Sequence, residues 1–492
     1  MRSFVPYCLL AIYGVAHAVE DTTLFHRPAS FRLGYESITL PGNEKMGMVG
    51  GSYLLETLPN LYVGPAAYGG MTGQRGGFFT GGGEVAYRLP LADKLELETG
   101  LYVGGGGGGT ALVGGGLMLR PHIDLLWNFG KVRAGLSASS VRFPSGEIKS
   151  NQLGVVVSFD NDFIQTDASH VGESMPFRER AGLGFDRISI VGGAYKPRPG
   201  VVDNAGQPTF KKIGFAGFRT EKFLGDGWVT GVEAAGAASG SADGYAEVLA
   251  TLAYEKPVIG NTLFVGARGS FGMGGGGSVS AGGGSLAKAA VYSTLAISRD
   301  LYLTAEAGMA DSLGGKFRAS YAALHLGVVL DRPVFENNLD ATSLVQGWQW
   351  SGSVQHYVQA TRRDGSMRDL EAVGFKMDRD LDHGLYLSGQ AHSAISGQAG
   401  GFSVGLFGMG WKTPKTSFGL SGAAELMIGA AGGGGVLTKG GAITQPMLYV
   451  EQDLGKGWRA RLGAGKIHAF KGGLNSTVYD VSLGYSFGLP TH

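Results

Sequence analysis

Apolar and polar residues alternate along much of this chain, and the alternation persists over long runs. From Lys94 to Val103, Leu95, Leu97, Thr99, Leu101 and Val103 share one face, while Glu96, Glu98, Gly100 and Tyr102 share the other. Further on, Leu263, Val265, Ala267 and Phe271 oppose Gly266, Arg268, Ser270 and Gly272. A third run sets Phe418, Leu420, Ala424, Leu426 and Ile428 against Gly419, Ser421, Glu425 and Gly429. A period of two predicts β-strands, because successive side chains point to opposite faces. One face is apolar throughout, and the other is small, polar or charged.

A half-buried sheet in a soluble sandwich would alternate in the same way. Two details favour strands that cross a membrane. The runs extend for about ten residues, which a tilted strand needs to cross the hydrocarbon layer, against five or six for most soluble strands. The polar face is also built mainly of glycine, alanine and serine rather than of the lysines usual on a solvated sheet.

Superimposed on this pattern is a glycine signature that occurs three times: GGGGTALVGGG at Gly106–Gly116, GGGGSVSAGGG at Gly274–Gly284 and GGGGVLTKGGA at Gly432–Ala442. Its marker positions are Gly106, Gly109 and Gly114, then Gly274, Gly277 and Gly282, then Gly432, Gly435 and Gly440. With 88 glycines in 492 residues such blocks could arise by chance, but their neighbours recur as well. A proline precedes each block (Pro90, Pro257, Pro414), and a Leu-Gly pair follows each (Leu153-Gly154, Leu326-Gly327, Leu483-Gly484). The chain reads as a triplication.

Composition narrows the class. Charged residues are only 16%, and 41 basic residues against 40 acidic ones give no net field that would call for nucleic acid. The glycines are clustered rather than placed at every third position, which excludes collagen, and 43% hydrophobic residues exclude a solvated coil. The first residues read as a signal peptide over 1–18: Arg2 for the charged region, Val5–Val15 for the apolar region, and Ala16-His17-Ala18 for the cleavage site. The single cysteine, Cys8, lies inside it, so the mature chain would be exported without any disulfide. No apolar run is long enough for a transmembrane helix, which leaves a closed β-barrel as the way into a membrane.

Near the C-terminus, Tyr479, Val481, Leu483, Tyr485 and Phe487 alternate with Asp480, Ser482, Gly484 and Ser486. This segment resembles the terminal strand of bacterial outer-membrane β-barrel proteins, which the assembly machinery recognises. In that superfamily the last residue is usually aromatic, whereas here Gly488-Leu489-Pro490-Thr491-His492 follow Phe487. The resemblance implies the outer membrane of a Gram-negative bacterium. It also implies outer-membrane lipid and the barrel-assembly machinery as partners, with a lumen-inserted or periplasmic component of an export system as a third.

The expected fold is all-β: a transmembrane antiparallel β-barrel of about 22–26 strands, built from three tandem eight-strand repeats. The repeats are placed at 19–160, 185–331 and 348–488, joined by connectors at 161–184 and 332–347, with a tail at 489–492. One wide barrel is expected in preference to three small ones in tandem. The glycine blocks have three readings: flexible hairpin tips, kinks that bend the wall, or lumen-facing segments that another chain approaches closely.

Signatures of covalent chemistry are sparse: there is no HExxH, P-loop or CxxC. No catalytic, metal or cofactor site is expected. Should the chain be an outer-membrane hydrolase or acyltransferase, candidates would be His122 with Asp124, His356, and His392 with Ser393. Better placed are the inward charges Glu96, Glu98, Arg268, Glu425 and Asp480, which would line an aqueous interior. Tyr302, Trp348, Trp350 and Trp411 would suit an aromatic girdle. The function expected first is an outer-membrane channel or export conduit that passes or sheathes a polymer, protein or solute. A self-assembling structural or adhesive surface protein and a lipid-modifying enzyme are the rivals.

Overall fold

The computed structural model describes residues 24–208, 212–332 and 342–492. The segment read as a signal peptide lies outside them. In the first repeat the strands are β1 (Phe25–Thr39), β2 (Lys45–Leu58), β3 (Leu61–Thr72), β4 (Phe79–Ala92), β5 (Leu95–Gly107), β6 (Met118–Asn128), β7 (Val132–Arg142) and β8 (Lys149–Asp167). A short β9 (Ser174–Pro176) follows. The second repeat has β10 (Arg187–Pro197), β11 (Ile213–Gly225), β12 (Trp228–Ser239), β13 (Ala246–Ile259), β14 (Leu263–Gly275), β15 (Ser285–Ala296), β16 (Leu301–Ser312) and β17 (Arg318–Val329). The third has β18 (Thr342–Thr361), β19 (Met367–Asp380), β20 (Leu385–Ala394), β21 (Ser403–Lys412), β22 (Leu420–Gly432), β23 (Ala442–Gly455), β24 (Trp458–Ala469) and β25 (Asn475–Thr491).

Every sequential pair within a repeat is antiparallel, and each repeat then closes on itself. The strand β1 pairs with β8 from Phe25↔Gln165 to Glu36↔Gly154. In the second repeat β10 pairs with β17 from Arg187↔Val329 to Pro197↔Ala319, completing a closed barrel. In the third, β18 pairs with β25 from Leu344↔Thr491 to Val358↔Thr477. The chain is therefore three barrels of eight strands, and the expectation of one wide barrel is corrected. Alternation specifies which face of a strand meets the interior, but not whether the last strand of a repeat turns back to its first or pairs onward. Strand boundaries also correct the expected connectors and tail: β8 runs on to Asp167, β18 begins at Thr342, and β25 continues through Phe487 to Thr491.

The barrels are inside-out relative to a soluble protein. Outward positions carry exposed Leu101, Val103, Ile123, Leu136, Leu153, Val155, Leu252, Val291, Leu426 and Leu448. Inward positions carry buried charges such as Arg32, Glu84, Arg219, Glu306, Arg461 and Glu425. Inward glycines seat tyrosine rings from the neighbouring strand. Gly50 lies opposite Tyr68, Gly266 opposite Tyr292, Gly327 opposite Tyr302, Gly410 opposite Tyr386, and Gly463 opposite Tyr449. At each of these glycines a Cβ would fall inside the partner ring. The pairs cover the backbone that glycine bares, and they let the wall curve tightly.

All six tryptophans lie toward the end of the barrels where β2–β3, β4–β5 and their counterparts are joined by tight turns. Trp127, Trp228, Trp411 and Trp458 are exposed there. Trp348 and Trp350 instead join a cluster with Phe163 and Phe487 between the first and third barrels, with Phe163 5.1 Å from Trp350 and 5.6 Å from Phe487. Tyr302 points inward, where Arg187 lies 5.3 Å from its ring, so it belongs to no girdle.

Candidate functional site: charged interiors and glycine junctions

Each interior holds a network of charged side chains built from the inward positions of several strands. In the first barrel the Arg32 guanidinium meets Glu84 at 2.5 Å, Glu98 at 3.4 Å, and Asp124. Arg88 holds Glu98 at 2.8 Å, Arg120 holds Glu36 at 2.9 Å, and the Tyr68 hydroxyl donates to Glu84 at 3.0 Å. The second barrel is the most densely charged. Arg187 bridges Glu221 at 2.5 Å and Glu255 at 2.9 Å, while Arg219 bridges Glu233 and Glu306. Lys288 lies between Glu233 at 2.9 Å and Glu247 at 2.5 Å. In the third, Arg461 reaches Asp378 at 3.1 Å and Glu451 at 2.8 Å, and Lys376 pairs with Glu425.

The residues singled out in the sequence fall into these networks separately rather than in one ring. Glu98 lies in the first network, and Glu96 at its turn end pairs with Arg133 at 2.6 Å. Arg268 pairs with Glu221 at 2.6 Å and Glu306 at 3.2 Å in the second barrel. Glu425 accepts from Tyr386 at 2.6 Å, and Asp480 accepts from Gln355 at 3.1 Å, both in the third. An eight-stranded barrel is just wide enough for side chains to fill. These interiors are filled by the chain's own residues. Apart from Arg268, the arginines and lysines that hold the carboxylates were not singled out in the sequence. Their signal was present as charges two apart on one strand face, as in Arg219 and Glu221, or Arg459 and Arg461.

The candidate histidines are spoken for. His122 lies between Glu84 and Asp124, 3.3 Å and 3.2 Å away, beside Arg32. His356 pairs with Glu371 at 3.0 Å. His392 contacts Ser353 at 2.5 Å, while Ser393 bonds Ser403 instead. Among the described residues no group of acidic, histidine or cysteine side chains could hold a metal ion.

The glycine blocks lie where the barrels meet. Each covers the end of the fifth strand of its repeat and the loop that follows, and packs on the loop between the third and fourth strands of another barrel. A Cβ on Gly275 would sit 2.5 Å from the backbone nitrogen of Gly77, and one on Gly107 would sit 3.1 Å from that of Gly401. One on Gly432 would sit 2.7 Å from the Gly244 Cα. Backbone bonds cross two of the junctions, Gly76 donating to the Gly282 carbonyl at 2.7 Å and Gly400 to the Gly114 carbonyl at 3.0 Å. The third relies on side chains: Arg363 pairs with Asp243, and the Thr438 hydroxyl donates to it at 3.4 Å.

The blocks are therefore sites of close backbone approach, between barrels and not in a lumen. Their partners were missed in the sequence, although Gly73–Gly77, Gly240–Gly244 and Gly397–Gly401 repeat the pattern GxxxG ahead of each block. The structural register also shifts the third copy by one residue. The sharp left-handed turn falls at Gly109 (φ 56°), Gly277 (φ 54°) and Gly434 (φ 54°), so Ala431 and Lys439 correspond to Gly106 and Gly114.

The sequence matches no protein-family model and no curated protein. Among solved structures, the chain is similar to OccK2 (OpdF) of Pseudomonas aeruginosa in complex with glucuronate, at 11% identity, covering 94% of this chain and 98% of that one, with a TM-score of 0.24. It is also similar to the siderophore receptor PirA of Acinetobacter baumannii, at 9% identity over 94% and 80%, TM-score 0.27. OccAB3 of Acinetobacter baumannii aligns at 10% identity over 94% and 99%, TM-score 0.23. Overlaps this weak add nothing to what the strand pairing already shows.

Proposed function

We propose that the protein belongs to the bacterial outer membrane as a transport protein of the channel or transporter class, with each of its three interiors held shut by ion pairs. The observation that carries the reading is the inversion of polarity: apolar side chains clothe the outside, and a charged column runs through each barrel. In lipid a wall of strands satisfies every backbone group only when it closes, and each repeat closes. The charged columns are the polar route across such a wall, so passage of an ion or small solute requires their pairs to exchange partners. Eight strands leave no bore for a polymer or a protein, so an export conduit is not part of the reading. No covalent step is assigned.

Planar-bilayer conductance tests it. The wild-type barrels should be nearly silent. Removing the central pairs of the second barrel together (Arg219→Ser, Glu233→Ser, Glu306→Ser) should produce discrete conductance steps. A triple variant that folds, shown by heat-modifiable migration, and remains as silent as the wild type would sink the transport reading. That result would favour a structural membrane platform, the second reading, which the filled interiors support.

A further inference from the structure

On the outer flank of the first barrel, two cations face each other with nothing to separate them. Arg142 ends β7 and Lys149 begins β8, and the two are direct cross-strand partners. Both are exposed and point outward. Neither makes an ion pair among the described residues: Arg142 Nε donates to the Ser140 hydroxyl at 3.3 Å, and the nearby exposed Glu147 pairs with neither. Like charges directly opposite on a sheet are destabilising. Here the repulsion lies at the end of the barrel away from the tryptophans, beside the turn that packs on the first glycine block, where Gly115 donates to the Ser145 hydroxyl at 2.9 Å.

The rows beneath that pair are graded. Ser140 lies opposite Asn151, then Ala138 opposite Leu153, then Leu136 opposite Val155. Leu153, Leu136 and Val155 are among the most exposed apolar residues of the chain, at 76%, 62% and 53%. Two cations, a polar row and an apolar stripe follow one another down a single face. That order matches an anionic head group, its polar linkage and its acyl chains.

We propose that Arg142 and Lys149 seat the phosphate of a lipid in the leaflet at this end, with Leu136, Leu153 and Val155 along its acyl chains. The proposal rests on the membrane reading above. A phosphate between the two side chains would turn a repulsive pair into two charge-assisted contacts. A phosphorylated glycolipid and an anionic phospholipid offer the same group, and the assay separates them from free phosphate.

The test compares wild type with Arg142→Gln/Lys149→Gln in nanodiscs of phosphatidylcholine alone, and with added phosphatidylglycerol or a lipid A-type glycolipid. Wild type should gain thermal stability from the anionic lipid and carry one more bound lipid by native mass spectrometry than the variant does. In pure phosphatidylcholine the order should reverse, the variant being the more stable because its repulsion is gone. Arg142→Lys/Lys149→Arg should behave as wild type. Equal lipid retention by wild type and the double glutamine variant would overturn the proposal, as would the same gain from inorganic phosphate without anionic lipid. A protein that enters no nanodisc at all would sink the membrane reading itself.

Discussion

At the residue scale, a two-part pattern recurs among the inward positions: charged side chains paired with their counter-charges, and glycines with a ring laid over them. Gly327 and Tyr302 show why the second half is hard to read in sequence. Each looks like an ordinary strand residue, and only the register of β16 against β17 reveals that the ring fills the missing side chain. One buried carboxyl outside the strands has a sharper consequence. Asp186 precedes β10 and lies near Arg180, at 3.0 Å, and the Phe223 backbone N–H, which donates to it at 2.5 Å. Burial outweighs both and, with Asp331 nearby, pushes its carboxyl up from 3.8 to about 6. A raised folded value means that the native state binds the proton more readily than the unfolded chain. The charge penalty is therefore full above about pH 6, is relieved as the pH falls through 6, and is gone below the unfolded value of 3.8. Asp186→Asn keeps the acceptor for Phe223 and removes the penalty. It should raise the denaturation midpoint at pH 7 and leave it nearly unchanged at pH 4, measured against wild type at both values. An equal shift at both would contradict the assignment.

At the element scale, strands were legible because each separates an apolar exterior from a charged interior, and a period of two records that separation directly. Glu98 and Tyr102 inward with Leu101 and Val103 outward is such a record. The glycine blocks were legible as repeats but not as junctions, because a block without side chains carries no pattern that says what it touches. Their register was off by one residue in the third copy for a related reason: the run Gly432–Gly435 looks the same when shifted, while the backbone turn does not. The corrected register places Lys439, at φ 40°, where the other copies have Gly114 and Gly282. A left-handed conformation costs a side-chain-bearing residue roughly 1–2 kcal/mol, partly offset by the greater chain entropy that glycine loses on folding. Lys439→Gly should therefore stabilise the third barrel by about 0.5–1 kcal/mol, read as a higher midpoint of unfolding in urea. A lower midpoint would show that the lysine side chain contributes more than the strain costs.

At the scale of the whole molecule, the three junctions form a closed cycle. The block of the first barrel meets the third, that of the third meets the second, and that of the second meets the first. The interface is head-to-tail, the kind that grows without limit unless its rotation closes, and here it closes after three members. Closure leaves no block free, which weighs against self-assembly through the glycine segments and predicts a monomeric full-length chain. It also explains why repetition could be seen while architecture could not: three similar repeats are compatible with one large ring of strands or with a ring of small barrels, and only pairing across β8 and β1 decides. Deleting the second barrel, 185–331, should break the cycle. The third barrel would then present its block at Gly432–Gly441, and the first would present Gly73–Gly77, two surfaces that stand in the same relation as the pairs already joined. Two-barrel chains should associate with one another in detergent, while full-length protein stays monomeric, as judged by light scattering on a sizing column. Adding Gly77→Val to the deletion should return it to a monomer, because a side chain there would strike the backbone that approaches it. If the deletion is monomeric without that substitution, the glycine contacts are a consequence of tethering and do not hold the barrels together.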